Sequence, residues 1–110
     1  MISQMMYDKF TKSGFEVELA MDGEEALAMV SKNKYDMVLL DILMPKMHGI
    51  EVLIQMRKKD ETFKMPVIIL TALDSPEREL EAHKLGAIEY FVKSKYKLDD
   101  VVKKVKEAIN

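Results

Sequence analysis

The sequence predicts an α/β fold, an open parallel sheet with helices on both faces, and three observations lead there. The runs at 37–40 and 67–70 are apolar without alternation, as strands covered on both sides are. The segments around them repeat their apolar residues every three or four positions, which is helical spacing. Together they alternate as α-β-α-β-α-β-α-β-α, and strands alternating with helices form parallel sheets through crossover connections.

Each element has its own signal. Ile2, Met5, Met6 and Phe10 mark a first amphipathic helix, stopped at Gly14, where a left-handed cap fits. Residues 15–20 alternate with period two and predict a strand with one buried face at a sheet edge. Asp22 with Glu25 three residues on is a capping box, and Ala26, Leu27 and Val30 form the inward stripe of the second helix. After the strand at 37–40, Gly49 releases a third helix with Ile50, Leu53 and Ile54 inward. A polar connection at 60–66 leads to the strand at 67–70. Ser75 followed by Pro76 starts a fourth helix that Gly86 closes. Residues 88–92 make the last strand, and Leu98, Val101, Val102, Val105 and Ile109 the stripe of the last helix.

Composition excludes several functions. A chain of 110 residues, with neither repeats nor low-complexity linkers, is sized for one domain. A net charge of -2 offers no basic surface for nucleic acid, and the lysines between 93 and 106 alternate with Asp99 and Asp100 as on a solvated helix face. With no cysteine there is neither disulfide nor thiolate chemistry. No apolar run approaches the roughly 18 residues of a membrane span, and no signal-peptide pattern opens the chain. These features predict a cytoplasmic protein without membrane or nucleic-acid partners. The ten methionines lie at scattered apolar positions and read as core filler.

In open parallel sheets functional groups collect beyond the carboxyl ends of the strands. Three predicted strands end in Asp41, Thr71 and Lys93. Singly, each has a plain reading: a turn former, a β-branched strand end, a lysine reaching solvent. Together, a carboxylate, a hydroxyl and an ammonium suit phosphoryl transfer, the carboxylate attacking while the other two bind the oxygens of the transferred group.

Asp41 within Leu-Leu-Asp-Ile-Leu-Met-Pro-Lys-Met-His-Gly, Thr71-Ala72 thirty residues on and Lys93 twenty-two further resemble the receiver domain of two-component response regulators. The resemblance implies a flavodoxin-like sheet and a signalling module rather than a turnover enzyme. Asp41 would accept a phosphoryl group from a histidine kinase or phosphotransfer protein, and an unknown downstream protein would read the result. Thr71 would bind a phosphoryl oxygen, Lys93 would pair with the phosphorylated carboxylate, and Tyr90 falls at the family's switch aromatic, turning inward as Thr71 moves. Tyr90 reads equally well as an aromatic on an amphipathic edge strand. Mg²⁺ would be held by Asp41 and the backbone carbonyl of Leu43.

The sequence departs from the family pattern at its start. The family opens with a buried strand and a pair of acidic residues that hold Mg²⁺; neither stands ahead of the first helix here. The expectation is a single receiver domain over 1–110, truncated at its N-terminus and without an output domain. It would have four of the usual five strands and a weak Mg²⁺ site. The absent strand is internal in the family's 2-1-3-4-5 order. Four buried aliphatic side chains on it amount to roughly 6 to 12 kcal/mol, comparable with the net stability of a domain. A rearranged sheet, or a homodimer or strand-swapped oligomer, would offset that loss. His48 replaces the family's usual Asp and reads as a solvated substitution. The missing acidic pair motivates the alternative, a pseudo-receiver that binds its partner independently of phosphorylation. A phosphoaspartate phosphatase fits poorly, because the general acid expected two residues after the nucleophile is Leu43.

Overall fold

The computed structural model describes residues 4–43, 47–59 and 62–109. Along them run α1 (Gln4–Lys12), α2 (Gly23–Lys32), β1 (Val38–Leu40), α3 (Gly49–Lys58), β2 (Val67–Thr71), α4 (Pro76–Lys84), β3 (Glu89–Val92) and α5 (Leu98–Ile109). The sheet is parallel, in the order β1-β2-β3, with Val38 opposite Val67 and Thr71 opposite Val92.

The helix boundaries follow local chemistry. Gly14, at φ 97°, turns the chain after α1, and the Phe15 N–H returns to the Phe10 carbonyl at 3.1 Å, satisfying a carbonyl at the helix end. The Asp22 carboxylate accepts the Glu25 N–H at 2.8 Å, while Glu25 reaches back to the Met21 N–H at 3.4 Å. Ser75 caps α4 by accepting the Arg78 N–H at 3.2 Å. Lys97 has no side-chain acceptor for α5, and Asp100 takes the Lys97 N–H at 3.3 Å instead. Asp99 pairs with Lys9 of α1, tying the two helices on that side together.

Successive strand residues point to opposite layers. Val67, Ile69, Leu40, Tyr90 and Val92 belong to the core with α2, α3 and α4. Ile68, Leu70 and Phe91 meet Met6 and Phe10 of α1 and Val101, Val102 and Val105 of α5. All five residues of β2 are buried, as a strand flanked by two others and two helical layers must be. Val52 and Met56 of α3 are fully buried beside the expected Ile50 and Leu53, because α3 is wedged between α2 and α4. On α1, Met5 is 74% exposed rather than inward, and Ile2 lies outside the described residues.

Residues 15–20 correct the expected strand count. They form no strand, and the described sheet has three strands where the pattern predicted four. Alternation orients the side chains correctly: Phe15 and Val17 pack toward α1 and α5, and Ala20 packs on the opposite core. A strand, however, is defined by its hydrogen-bonded neighbour. Between 15–20 and β1 lies a cavity of about 410 Å³ lined by Val17, Ala20, Val30, Leu39, Leu40 and Val105, among others. The segment is held by side chains instead, with the Tyr35 hydroxyl donating to Glu18. The last strand is also shorter than predicted, beginning at Glu89 after a half-exposed Ile88.

Because β2 is the shared wall of both cores, Ile69→Ala is expected to lower unfolding free energy by about 2–5 kcal/mol in urea titration. A loss below about 1 kcal/mol would contradict close packing around β2.

Candidate functional site

The parallel register brings three strand ends together. Asp41 follows β1, Thr71 closes β2 and Lys93 follows β3. The Lys93 N–H donates to the Thr71 carbonyl at 2.8 Å, carrying the pairing of β2 and β3 up to the site. Lys93 Nζ donates to Asp41 Oδ2 at 3.2 Å, and the Leu43 N–H donates to Asp41 Oδ1 at 2.9 Å. The Thr71 hydroxyl, fully buried, lies beside the Asp41 carboxylate and favours its ionised form. The three residues singled out in the sequence therefore meet on one carboxylate. Its side chain is only 9% exposed, while the Lys93 side chain is 34% exposed.

The loop after Asp41 is anchored from below. Ile42 is fully buried, and its carbonyl accepts the Gly49 N–H at 2.9 Å. A Cβ at Gly49 would lie 2.2 Å from the Asp41 carbonyl oxygen, so close approach, rather than an unusual φ, requires glycine there. His48 is the N-cap of α3: its Nδ1 accepts the Ile50 N–H at 3.2 Å. The sequence reading missed this, because histidine is an uncommon cap. The turn residues Met44, Pro45 and Lys46 lie outside the described residues.

Tyr90 stands one step from the carboxylate. Its ring points inward, 6% exposed, and its hydroxyl donates to the Leu73 carbonyl at 2.8 Å. The Leu73 N–H donates to Thr71 Oγ1 at 3.2 Å. A hydrogen-bonded path thus runs from Tyr90 through the Leu73 peptide groups to Thr71, which stands beside Asp41. Leu73 enters it through backbone groups, which side-chain patterns do not reveal. Nearby, Lys95 pairs with Asp74 at 3.0 Å, linking the loops after β3 and β2. Far from the site, Arg57 ties the end of α3 to the Leu85 and Met65 carbonyls at 2.6 and 2.9 Å.

Known proteins share the family and the fold of this chain. The family model described as the response regulator receiver domain matches residues 1–106. Response regulator MprA of a Mycobacterium species is 40% identical over 81 residues, 74% of this chain and 34% of its own length. The chain spans less than half the length of the first curated relatives it matches. The receiver domain of Francisella response regulator 1452 superposes with a TM-score of 0.86 at 36% identity, covering 96% of this chain and 85% of that one. TrrA of Thermotoga maritima, solved in complex with Mg²⁺ and BeF, gives 0.82 at 34% identity, covering 96% and 87%.

The residues around Asp41 do not by themselves fit Mg²⁺. Among the described residues no group of three or more histidine or acidic side chains could hold a metal. Of the Asp41 oxygens, one accepts from Leu43 and the other from Lys93. An octahedral ion that dehydrates reluctantly is held weakly by one carboxylate and a carbonyl.

Burial works to raise the Asp41 pKa, but hydrogen bonding to the ionised carboxylate outweighs it, and the carboxyl titrates below the ordinary range. A depressed carboxyl contributes stability that is present above its unfolded pKa, near 3.9, and lost as pH falls through the lower folded value. The unfolding free energy of the chain minus that of Asp41→Asn should therefore decrease below about pH 4. A difference constant from pH 7 to pH 2 would show that Asp41 is not held ionised by the site.

Proposed function

We infer the roles of the site residues from one premise: this chain belongs to the response regulator receiver family, whose members work in two-component phosphorelay signalling. In this reading Asp41 is the phosphoacceptor. The observation that carries it is the convergence of Lys93 and Thr71 on one carboxylate at the ends of adjacent parallel strands.

The donor is a phosphohistidine on a kinase or phosphotransfer protein. An Asp41 carboxylate oxygen attacks phosphorus, the P–N bond breaks, and its electron pair returns to the imidazole nitrogen, which takes a proton. Lys93 is poised to stabilise the charge on the acyl phosphate, and the Thr71 hydroxyl to donate to a phosphoryl oxygen. A Thr71 that follows the phosphoryl group pulls on the Leu73 N–H, and Tyr90 is bonded to the same residue's carbonyl. That coupling makes Tyr90 the switch by which phosphorylation reaches the surface read by a downstream protein. Mg²⁺ at Asp41 and the Leu43 carbonyl is a weak site in this reading.

The test is incubation with acetyl phosphate, with and without Mg²⁺, followed by mass spectrometry. One acid-labile phosphoryl group is expected on Asp41, none on Asp41→Asn, and labelling slowed roughly 100-fold or more in Lys93→Met. Failure to label Asp41 under any of these conditions would remove the phosphoacceptor role and leave a partner-binding domain independent of phosphorylation.

The 110 residues are read as one domain in which the cavity beside β1 seats one more strand, parallel to β1, giving 15–20 a hydrogen-bonding neighbour. Joining about five aliphatic residues and a short turn ahead of Met1 should raise Tm by several degrees. An unchanged or lower Tm would show that the cavity does not accept a strand.

A further inference from the structure

We propose that His48 is a pH-dependent positioning residue for the Asp41 loop: neutral, it caps α3 and fixes the backbone under Asp41; protonated, it releases that backbone. The proposal rests on Asp41 being the phosphoacceptor for its consequence in signalling, but not for its geometry.

Three contacts carry it. His48 has the extended backbone of an N-cap, φ -59° and ψ 142°, and its exposed ring places Nδ1 3.2 Å from the Ile50 nitrogen. Its carbonyl accepts the Val52 N–H at 3.1 Å, closing the first turn of α3. The next residue, Gly49, donates to the Ile42 carbonyl at 2.9 Å and lies so near the Asp41 carbonyl that a Cβ would sit 2.2 Å from it. A loosened first turn of α3 therefore acts directly on the 41–42 peptide.

The chemistry is particular to histidine. A neutral imidazole has one acceptor nitrogen, and the Ile50 bond assigns that role to Nδ1, with the proton on Nε2. Imidazolium has two donors and no acceptor. Its N–H would then face the Ile50 N–H, and its charge would stand at the positive end of the helix dipole. The oxygen caps usual at such positions do not gain a proton near neutrality, whereas histidine changes charge between pH 5 and 8.

Charged groups stand on the neighbouring elements. Glu51 lies in the first turn of α3, and Asp22, Glu24 and Glu25 stand at the start of α2, where Gly23 comes close to the Met47 carbonyl. Asp41 and Lys93 are paired with each other at the top of the loop. Among the described residues none of these forms an ion pair with His48.

The test compares the chain with His48→Asn, a cap that does not titrate, between pH 8 and pH 5.5. Two quantities are followed: the rate of Asp41 labelling by acetyl phosphate and the exchange protection of the Ile50 amide by NMR. Relative to His48→Asn, Ile50 protection in the unaltered chain should be about fivefold lower at the acid end than at the alkaline end, the size expected for loss of an N-cap, and the labelling rate should fall with it. His48→Ala should be low at both ends. A ratio that does not change with pH in either measurement overturns the proposal. If Asp41 is labelled in neither protein, the phosphoacceptor reading fails. Ile50 protection and the Ile42 and Leu43 amide shifts then still decide it: a pH response in them that His48→Asn lacks supports the positioning role, and an identical response in both proteins removes it.

Discussion

A carboxylate with 9% of its side chain exposed is costly unless its charge is met, and the arrangement of this molecule follows from meeting it. Asp41 has three compensating groups from three places: the Lys93 ammonium after β3, the Thr71 hydroxyl at the end of β2 and the Leu43 N–H from its own loop. Lys93 and Thr71 arrive only if the strands are parallel and in register, so that their carboxyl ends share one edge. The buried β2, the two helical layers and the Lys93 to Thr71 backbone bond all maintain that register. The same charge would be poorly tolerated anywhere else in the sheet.

Support from below is as important as partners from above. α3 begins directly under Asp41, with Gly49 admitted only because it has no side chain, and Ile42 is driven into the core to pin the loop. The first turn of α3 is therefore part of the site, although none of its side chains touches the carboxylate. On the other side, Thr71 and Tyr90 are joined through the two peptide groups of Leu73. Asp41 sits between a rigid floor and a path leading outward.

The sheet is strongest away from its β1 edge. β2 is buried throughout and β3 from Tyr90 to Val92, whereas β1 is three residues long and borders a cavity. Residues 15–20 keep the side-chain placement of a strand without a ladder, which separates two things usually found together. Apolar alternation determines which way side chains face, and backbone pairing determines whether a strand exists.

By itself the sequence determined whatever depends on near neighbours along the chain. The caps at Asp22 and Ser75, the stop at Gly14, the buried run in β2 and the stripe of α5 from Val101 to Val105 are local signals and stand where the spacing placed them, whereas β1, expected to be covered on both faces, buries only Leu40 and α5 leaves Ile109 exposed. Asp41, Thr71 and Lys93 were legible as strand ends, because parallel topology implies that such ends converge. Tertiary structure alone decided what depends on distant partners: that 15–20 has no strand beside it, that Met5 faces outward, that the His48 ring turns back to cap α3, and that Leu73 links Tyr90 to Thr71 through its backbone. These outcomes rest on hydrogen-bond and packing partners far away in sequence or carried by the main chain, and residue spacing holds no record of either.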